Sequence, residues 1–506
     1  MASNVRQQVI PPKVLLTQWL GRLYEHRLTT TTGGNLSIID GDVMYITPSG
    51  GDKAIVPAEK IAYRKLGDSS FQGPVPPSME WPLHLAAYEA CRRSHRENEI
   101  RAVLHAHSKT LMAFSLASCD RDKKDLGRNR EEKKHDDTQN EDDPRIPNTR
   151  CILGAFQACG KVAVAPYALP GSQELADACY DAFSKGADCV ILLENHGVVV
   201  VGESLHQAYD RFVSLESLAQ SMVYSQPLGF ECKPVEEHVL RRLAHKAEKR
   251  AVPSFFDENR VMSCIEKELR ADLCKFVRRA YGQQLITSSS GSFSVRLPKA
   301  GNAMDGLSFL ITPSGVDRKE IEEADLCFLS KHVASPNQET MISTQPTLLQ
   351  FPVHHPSSPE RVSASRAARM HATIFEHHPN IDCILVTQPP YATAFCLTGC
   401  PMDSGFMPES HVVLRDVQTL TLKEALKHNG EGLAKTFDPE KGINSVLVQN
   451  YGVVTVGKSL LQAFVQLEVL ESMCCVTLQA MTRCRPLAPL TKKQRMEVTE
   501  AFFKHV

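Results

Sequence analysis

Two histidines one residue apart, His105 and His107, head a set of side chains whose types and spacing could do chemistry. Residues two apart on a strand project from the same face, so both imidazoles reach one side of a sheet. That is the spacing at which two nitrogen donors can share one metal ion, although such pairs also occur as plain core or surface histidines. A third imidazole, His196, sits in Asn195-His196-Gly197 between two apolar runs, where a turn can present it. Glu80 offers a carboxylate, as fourth ligand or as base. Three imidazoles with a replaceable fourth position are what catalytic zinc requires.

A second set has the character of anion-binding turns. Gly34-Asn35 and Ser49-Gly50 are small and polar, so backbone N–H groups can approach an anion while the side chains add donors. Ser78 adds a hydroxyl near a helix start, where the helix dipole favours negative charge. Read one at a time, these are also ordinary turns and caps.

The elements that must position them follow from periodicity. Val14 to Tyr24 has apolar residues at helical spacing, and a second helix is expected to carry Glu80, His84 and Tyr88 on one face. Strands are expected at Asn35 to Ile39, Val43 to Ile46, Ile100 to His107, Cys189 to Leu193 and Val198 to Val201. Further helices are expected near Gln173 to Ser184 and Ser204 to Tyr224. This mixture predicts a layered α/β domain of roughly 220 residues, a size that one core can support.

The pattern then repeats. Ser290-Gly291-Ser292-Phe293-Ser294 answers Gly33-Gly34-Asn35-Leu36-Ser37, and Ile311-Thr312-Pro313-Ser314-Gly315 answers Ile46-Thr47-Pro48-Ser49-Gly50. Gln449-Asn450-Tyr451-Gly452 answers Glu194-Asn195-His196-Gly197. A period near half the chain means two copies of one domain. In the second copy Val386 and Gln388 stand for His105 and His107, Tyr451 for His196, Ala367 for Glu80 and Ser292 for Asn35. It is therefore expected to lack metal. The expected domains are 1–240 and 255–506, with the linker between Glu236 and Asp257. A charged, apolar-poor segment from Asp120 to Arg150 is expected to be a disordered insertion. Ser335 to Arg361, rich in Pro, Ser and Gln, is expected to be an irregular loop.

Composition excludes several classes. The 506 residues are 42% hydrophobic and 23% charged with a net charge of -1, which gives no electrostatic reason to expect nucleic acid or an acidic membrane. No apolar run approaches the roughly 20 residues that cross a bilayer, and Met1 to Gln8 lacks a secretory core. The 16 cysteines show no paired framework, and the expectation is reduced thiols in a cytoplasmic protein.

These motifs, in this order, carry a resemblance. With Pro77-Ser78-Met79-Glu80-Trp81-Pro82-Leu83-His84, Ala165-Pro166-Tyr167 and Gly171, the first half resembles the class II (zinc-dependent) aldolase/adducin head family, and within it the fuculose-phosphate aldolase branch. The second half resembles the same family without its metal motif. The resemblance implies two tandem three-layer α/β/α domains, each with a mostly antiparallel central sheet. It implies Zn2+ held by His105, His107, His196 and Glu80, with Glu80 also the acid/base. It implies a substrate phosphate on Gly34, Asn35, Ser49, Gly50 and Ser78, and a lyase that cleaves a phosphorylated ketose through a metal-stabilised enediolate. It implies also a homo-oligomer, a dimer of tandem chains imitating a four-fold ring. Two departures stand out: Met79 replaces a second serine, and Ile152 falls, by ungapped counting, where the family has a proton-donating tyrosine. Ser49-Gly50-Gly51-Asp52-Lys53 is similar to methylthioribulose-1-phosphate dehydratases, which makes a ketose-phosphate dehydratase the alternative. A non-catalytic scaffold like the adducin head is a third reading.

Overall fold

The computed structural model describes residues 10–93, 100–117, 143–249, 252–254, 260–298, 306–332, 347–351 and 362–503. The chain divides into two compact units: Gln7–Thr149 with Gly154–Gln220, and Arg150–Leu153 with Ser221–Val506.

The first unit is built on a seven-stranded sheet: β1 (Asn35–Asp40), β2 (Val43–Ile46), β3 (Ala62–Lys65), β4 (Ala102–Ala106), β5 (Val162–Ala165), β6 (Val190–Leu193) and β7 (Gly197–Gly202). The spatial order is β3-β2-β1-β4-β7-β6-β5, antiparallel except for the β5–β6 pair. The central strands β4, β6 and β7 are buried at every position, which is why they read as continuous rather than alternating apolar runs. Helices Pro12–Glu25, Trp81–Arg93, Gln173–Lys185 and Leu205–Ser225 accompany the sheet close to their expected places.

The second unit repeats this plan with one strand more: β8 (Ser292–Arg296), β9 (Ser308–Ile311), β10 (Cys327–His332), β11 (Thr347–Phe351), β12 (Cys383–Thr387), β13 (Val417–Leu420), β14 (Ser445–Val448) and β15 (Gly452–Gly457). Its order, β11-β10-β9-β8-β12-β15-β14-β13, matches the first sheet strand for strand, with β11 added beyond β10. The registers agree as well: Asn35 pairs with His105 on one sheet, and Ser292 with Val386 on the other.

Some expectations change. The segment Ser335 to Arg361 is not wholly irregular, because Thr347-Leu348-Leu349-Gln350-Phe351 pairs along β10; the rest of it lies mainly outside the described residues. The charged segment lies outside them over 118–142. Its end is anchored, with Arg145 bonded to Asp143 and to Glu194. Glu80 is not on the helix. The chain turns there, with Trp81 N–H donating to Ser78 O, and the helix starts at Trp81 with Pro82 in the first turn, where no N–H donor is needed. The helix Leu460–Arg483 is long and apolar enough to cross a membrane by length and composition. Its Phe464, Leu467, Leu470 and Cys474 are fully buried in the core of the second unit.

Candidate functional site

Strand β4 delivers His105, and His107 follows one residue past its end. The adjoining strand β7 begins at Gly197, directly after the turn that holds His196. That turn is tight: Asn195 adopts φ 55° and His196 N–H donates to Leu193 O. Glycine at 197 is required by close approach, since a Cβ would lie 2.7 Å from His107 Cδ2 and 2.8 Å from Ala106 O. Gly33 does the same from β1's side, with a Cβ 2.8 Å from His107 Nδ1. Neither glycine was legible as part of the site from spacing.

The result is a cluster whose ligand atoms on His105, His107 and His196 all lie within 4.8 Å of one another. His105 Nε2 and His107 Nε2 face each other at 2.9 Å. Glu80 completes it, with Oε2 3.3 Å from His105 Nε2 and Oε1 3.2 Å from His196 Nε2. Tetrahedral zinc with Zn–N near 2.0–2.1 Å places its donors about 3.3 Å apart, so this donor set fits a divalent cation. His105 Nδ1 meets Val198 O at 3.0 Å; the carbonyl accepts a hydrogen bond from Nδ1–H, which leaves Nε2 with a free lone pair. His196 Nδ1 is buried without a hydrogen-bond partner, the signature of a polar pocket built for something more.

The electrostatics agree. Burial pushes the His105 imidazole down to about 3, Glu80 pulling the other way, and burial lowers His107 too, so both stay neutral and able to donate lone pairs. Burial raises the Glu80 carboxyl. The imidazoles of His105 and His196 beside it, with the hydrogen bonds from His196 and Asn35, outweigh that and hold it well below the usual carboxylate range.

Behind the carboxylate runs a buried relay. Tyr88 and His84, one turn apart on the helix Trp81–Arg93, both reach Ser37 Oγ, at 3.0 and 2.6 Å. His84 Nε2 bonds Asn35 Oδ1, and Asn35 Nδ2 donates to Glu80 Oε2 at 2.7 Å. Burial drives His84 down to about 3 and keeps it neutral. Because the Glu80 carboxylate can only accept, the direction of donation is fixed: the Asn35 amide to Glu80, His84 Nε2–H to Asn35, and Ser37 O–H to His84 Nδ1. Asn35, expected to bind phosphate, has its side chain committed between Glu80 and His84.

The other cradle residues gather beside Glu80. Ser78 N–H donates to Thr47 O, and Ser49 N–H to Pro76 O, which ties the Thr47–Gly50 turn to the Pro76–Ser78 turn. Gly34 and Gly50 adopt φ 74° and 66°, conformations that glycine supplies without strain. Lys53, 2% exposed, bonds Pro48 O and Gly50 O through Nζ and fixes the turn from beneath. Burial lowers its pKa, and Glu80 partly restores it. On the far side Glu194 bonds Arg145 and the Tyr167 amide, bracing the His196 turn. Ile152 is buried and belongs to the other unit.

Residues 15–223 and 271–478 each match the family described as the class II aldolase and adducin N-terminal domain. Over 198 residues the chain is 28% identical to an L-fuculose phosphate aldolase of Methanococcus maripaludis, covering 39% of this chain and 88% of that one. It is 30% identical over 210 residues to a 3-oxo-tetronate 4-phosphate decarboxylase of Haemophilus influenzae, covering 41% of this chain and 85% of that one. Among solved structures an L-fuculose 1-phosphate aldolase aligns at 25% identity over 47% of this chain and 96% of its own, with a TM-score of 0.35.

Proposed function

Because the chain belongs to the class II aldolase and adducin N-terminal domain family, we propose that its first repeat is a divalent-metal lyase acting on a phosphorylated ketose. The convergence of His105, His107, His196 and Glu80 supports this most directly. The three imidazoles and Glu80 would hold zinc. When bound, the ion supplies Lewis acidity to take up the charge left as a carbon–carbon bond breaks.

The chain's own residues supply the rest. Gly34, Ser49, Gly50 and Ser78 hold the substrate phosphate by backbone N–H groups and hydroxyls, which fixes the carbon chain against Glu80. Glu80 moves the proton to or from carbon. Its low pKa keeps the carboxylate ionised, and Asn35 holds one of its oxygens in place.

Elimination of water from a ketose phosphate needs the same proton transfer beside the same cation. The run Ser49-Gly50-Gly51-Asp52-Lys53 and the absence of a tyrosine at Ile152 favour keeping it as the second reading. In the first unit Ile55, Met79, Tyr167 and Leu169 are 74%, 63%, 60% and 67% exposed, which supports a homo-oligomer, a dimer of tandem chains. The buried thiols Cys159, Cys179, Cys396 and Cys474 suit a reducing, cytoplasmic setting. The test is metal analysis of purified protein, then a panel of sugar phosphates assayed for dihydroxyacetone phosphate and for dehydrated product. Near-stoichiometric zinc and one product class are expected; a metal-free protein silent on the panel sinks the enzyme reading in favour of a scaffold.

A further inference from the structure

The second repeat has no counterpart of a metal ligand, yet it keeps the whole frame of the first repeat's anion cradle. Gly291 and Gly315 adopt φ 81° and 72°, as Gly34 and Gly50 do. Ser365 N–H donates to Thr312 O at 3.1 Å as Ser78 N–H does to Thr47 O at 3.0 Å. Phe293 N–H donates to Thr312 Oγ1 at 3.1 Å, repeating Leu36 and Thr47. Ala367 N–H reaches Ser365 Oγ at 3.3 Å, where Glu80 N–H reaches Ser78 Oγ at 3.4 Å. A decayed copy kept only for bulk has no reason to hold these turns.

Two changes set this frame apart: one ties it more tightly and the other adds a cation. Arg318, 2% exposed, stands for Lys53, and its guanidinium donates to Ser289, Ser290 and Gly291 carbonyls on one turn and Pro313 and Val316 on the other. It welds both turns and brings positive charge beneath them. Arg366, exposed, replaces Met79 next to Ser365. Tyr451 occupies the place of His196.

The floor of the frame is unsatisfied. His371 repeats His84, with Nδ1 on Ser294 Oγ at 2.6 Å, but its Nε2 is buried and has no partner. Ser292 Oγ, next to Gly291 and 4% exposed, has none either. In the first repeat Asn35 and Glu80 fill this space; Ser292 and Ala367 are too short to do so. Buried polar atoms without partners beside a preorganised cradle point to a ligand that brings its own oxygens.

We propose that the second repeat is a metal-free binding site for a phosphate monoester, held by Gly291, Ser314, Gly315, Ser365 and Arg366, with no chemistry performed there. The proposal rests on the reading that the equivalent turns of the first repeat bind substrate phosphate. The guanidinium of Arg366 supplies a cationic partner that Met79 cannot supply in the first repeat, and binding a phosphate monoester without breaking any bond in it makes the site suited to sensing substrate or product.

The test is equilibrium titration of the full chain with dihydroxyacetone phosphate and, separately, inorganic phosphate, in wild type, Arg366→Ala and Ser78→Ala. The expected result is two phosphates per chain, with Arg366→Ala weakening one at least tenfold and Ser78→Ala weakening the other. Tighter binding of the ester than of free phosphate identifies the monoester as ligand; equal binding overturns that identification. One phosphate per chain, lost in Ser78→Ala and untouched by Arg366→Ala, overturns the proposal while the first-repeat reading stands. One phosphate lost only in Arg366→Ala upholds the proposal and overturns the reading beneath it.

Discussion

The side-chain amide of Asn35 donates to Glu80 Oε2 over 2.7 Å, and its carbonyl is held in turn by His84. An asparagine that could flip is thereby fixed, because the Glu80 carboxylate can only accept, which turns the amide N–H toward it and leaves the amide oxygen to accept from His84. The carboxylate beside the histidine cluster inherits that orientation. A device of this kind acts on geometry and basicity rather than on substrate.

Asn35→Asp puts a carboxylate against Glu80, raising the Glu80 pKa and removing its donor. A fall in kcat of roughly 10–100-fold is expected, with the acidic limb of the pH–rate profile moved to higher pH. An unchanged profile with raised KM alone would assign Asn35 to substrate phosphate instead.

Gly197→Ala drives a methyl into His107 and the Ala106 carbonyl, at 2.7 and 2.8 Å. Metal affinity is expected to drop at least about tenfold as the imidazoles are pushed apart. Competition against a chelator of known affinity reads this, and wild-type retention of metal would show that the turn yields elsewhere.

Glu471 accepts N–H bonds from Tyr391 and Ala392 at the start of the helix Pro390–Thr398, yet burial raises its pKa to about 7 against those bonds. Its folded value therefore exceeds the unfolded one near 4.5. The stability it contributes is full below pH 4.5 and is lost as pH rises through 7. In Glu471→Gln, melting temperatures from pH 5 to 8 should flatten relative to wild type; parallel curves would refute the shift.

His371 has the opposite sign. Burial depresses it from 6.5 to about 3, so its neutral packing is fully stabilising above pH 6.5 and is lost as pH falls toward 3. Each pH unit in that window costs about 1.4 kcal/mol per buried histidine. Denaturant titrations in phosphate-free buffer should show this slope reduced in His371→Phe, which removes both the titration and the unpaired Nε2. A slope equal to wild type would place the acid sensitivity elsewhere.

Much of this protein is local in sequence, and so it was readable. The repeat, the two-residue spacing of His105 and His107, the Asn195-His196-Gly197 turn and the Gly34 and Gly50 turns are each set by a few adjacent residues whose backbone preferences do not depend on distant partners. The positions of β1, β2, β4, β6 and β7 and the helices near residues 173 and 205 followed from the same short-range periodicity. Tertiary structure decided what those residues do to one another. Whether Asn35 serves a phosphate or Glu80 depended on His84, 49 residues away, arriving at its carbonyl. That Glu80 precedes its helix, that Gly33 and Gly197 make room for His107, and that His371 is left without a partner are likewise outcomes of long-range packing. Side-chain hydrogen bonds across strands are chosen by geometry within a fraction of an ångström, and no spacing rule along the chain carries that precision.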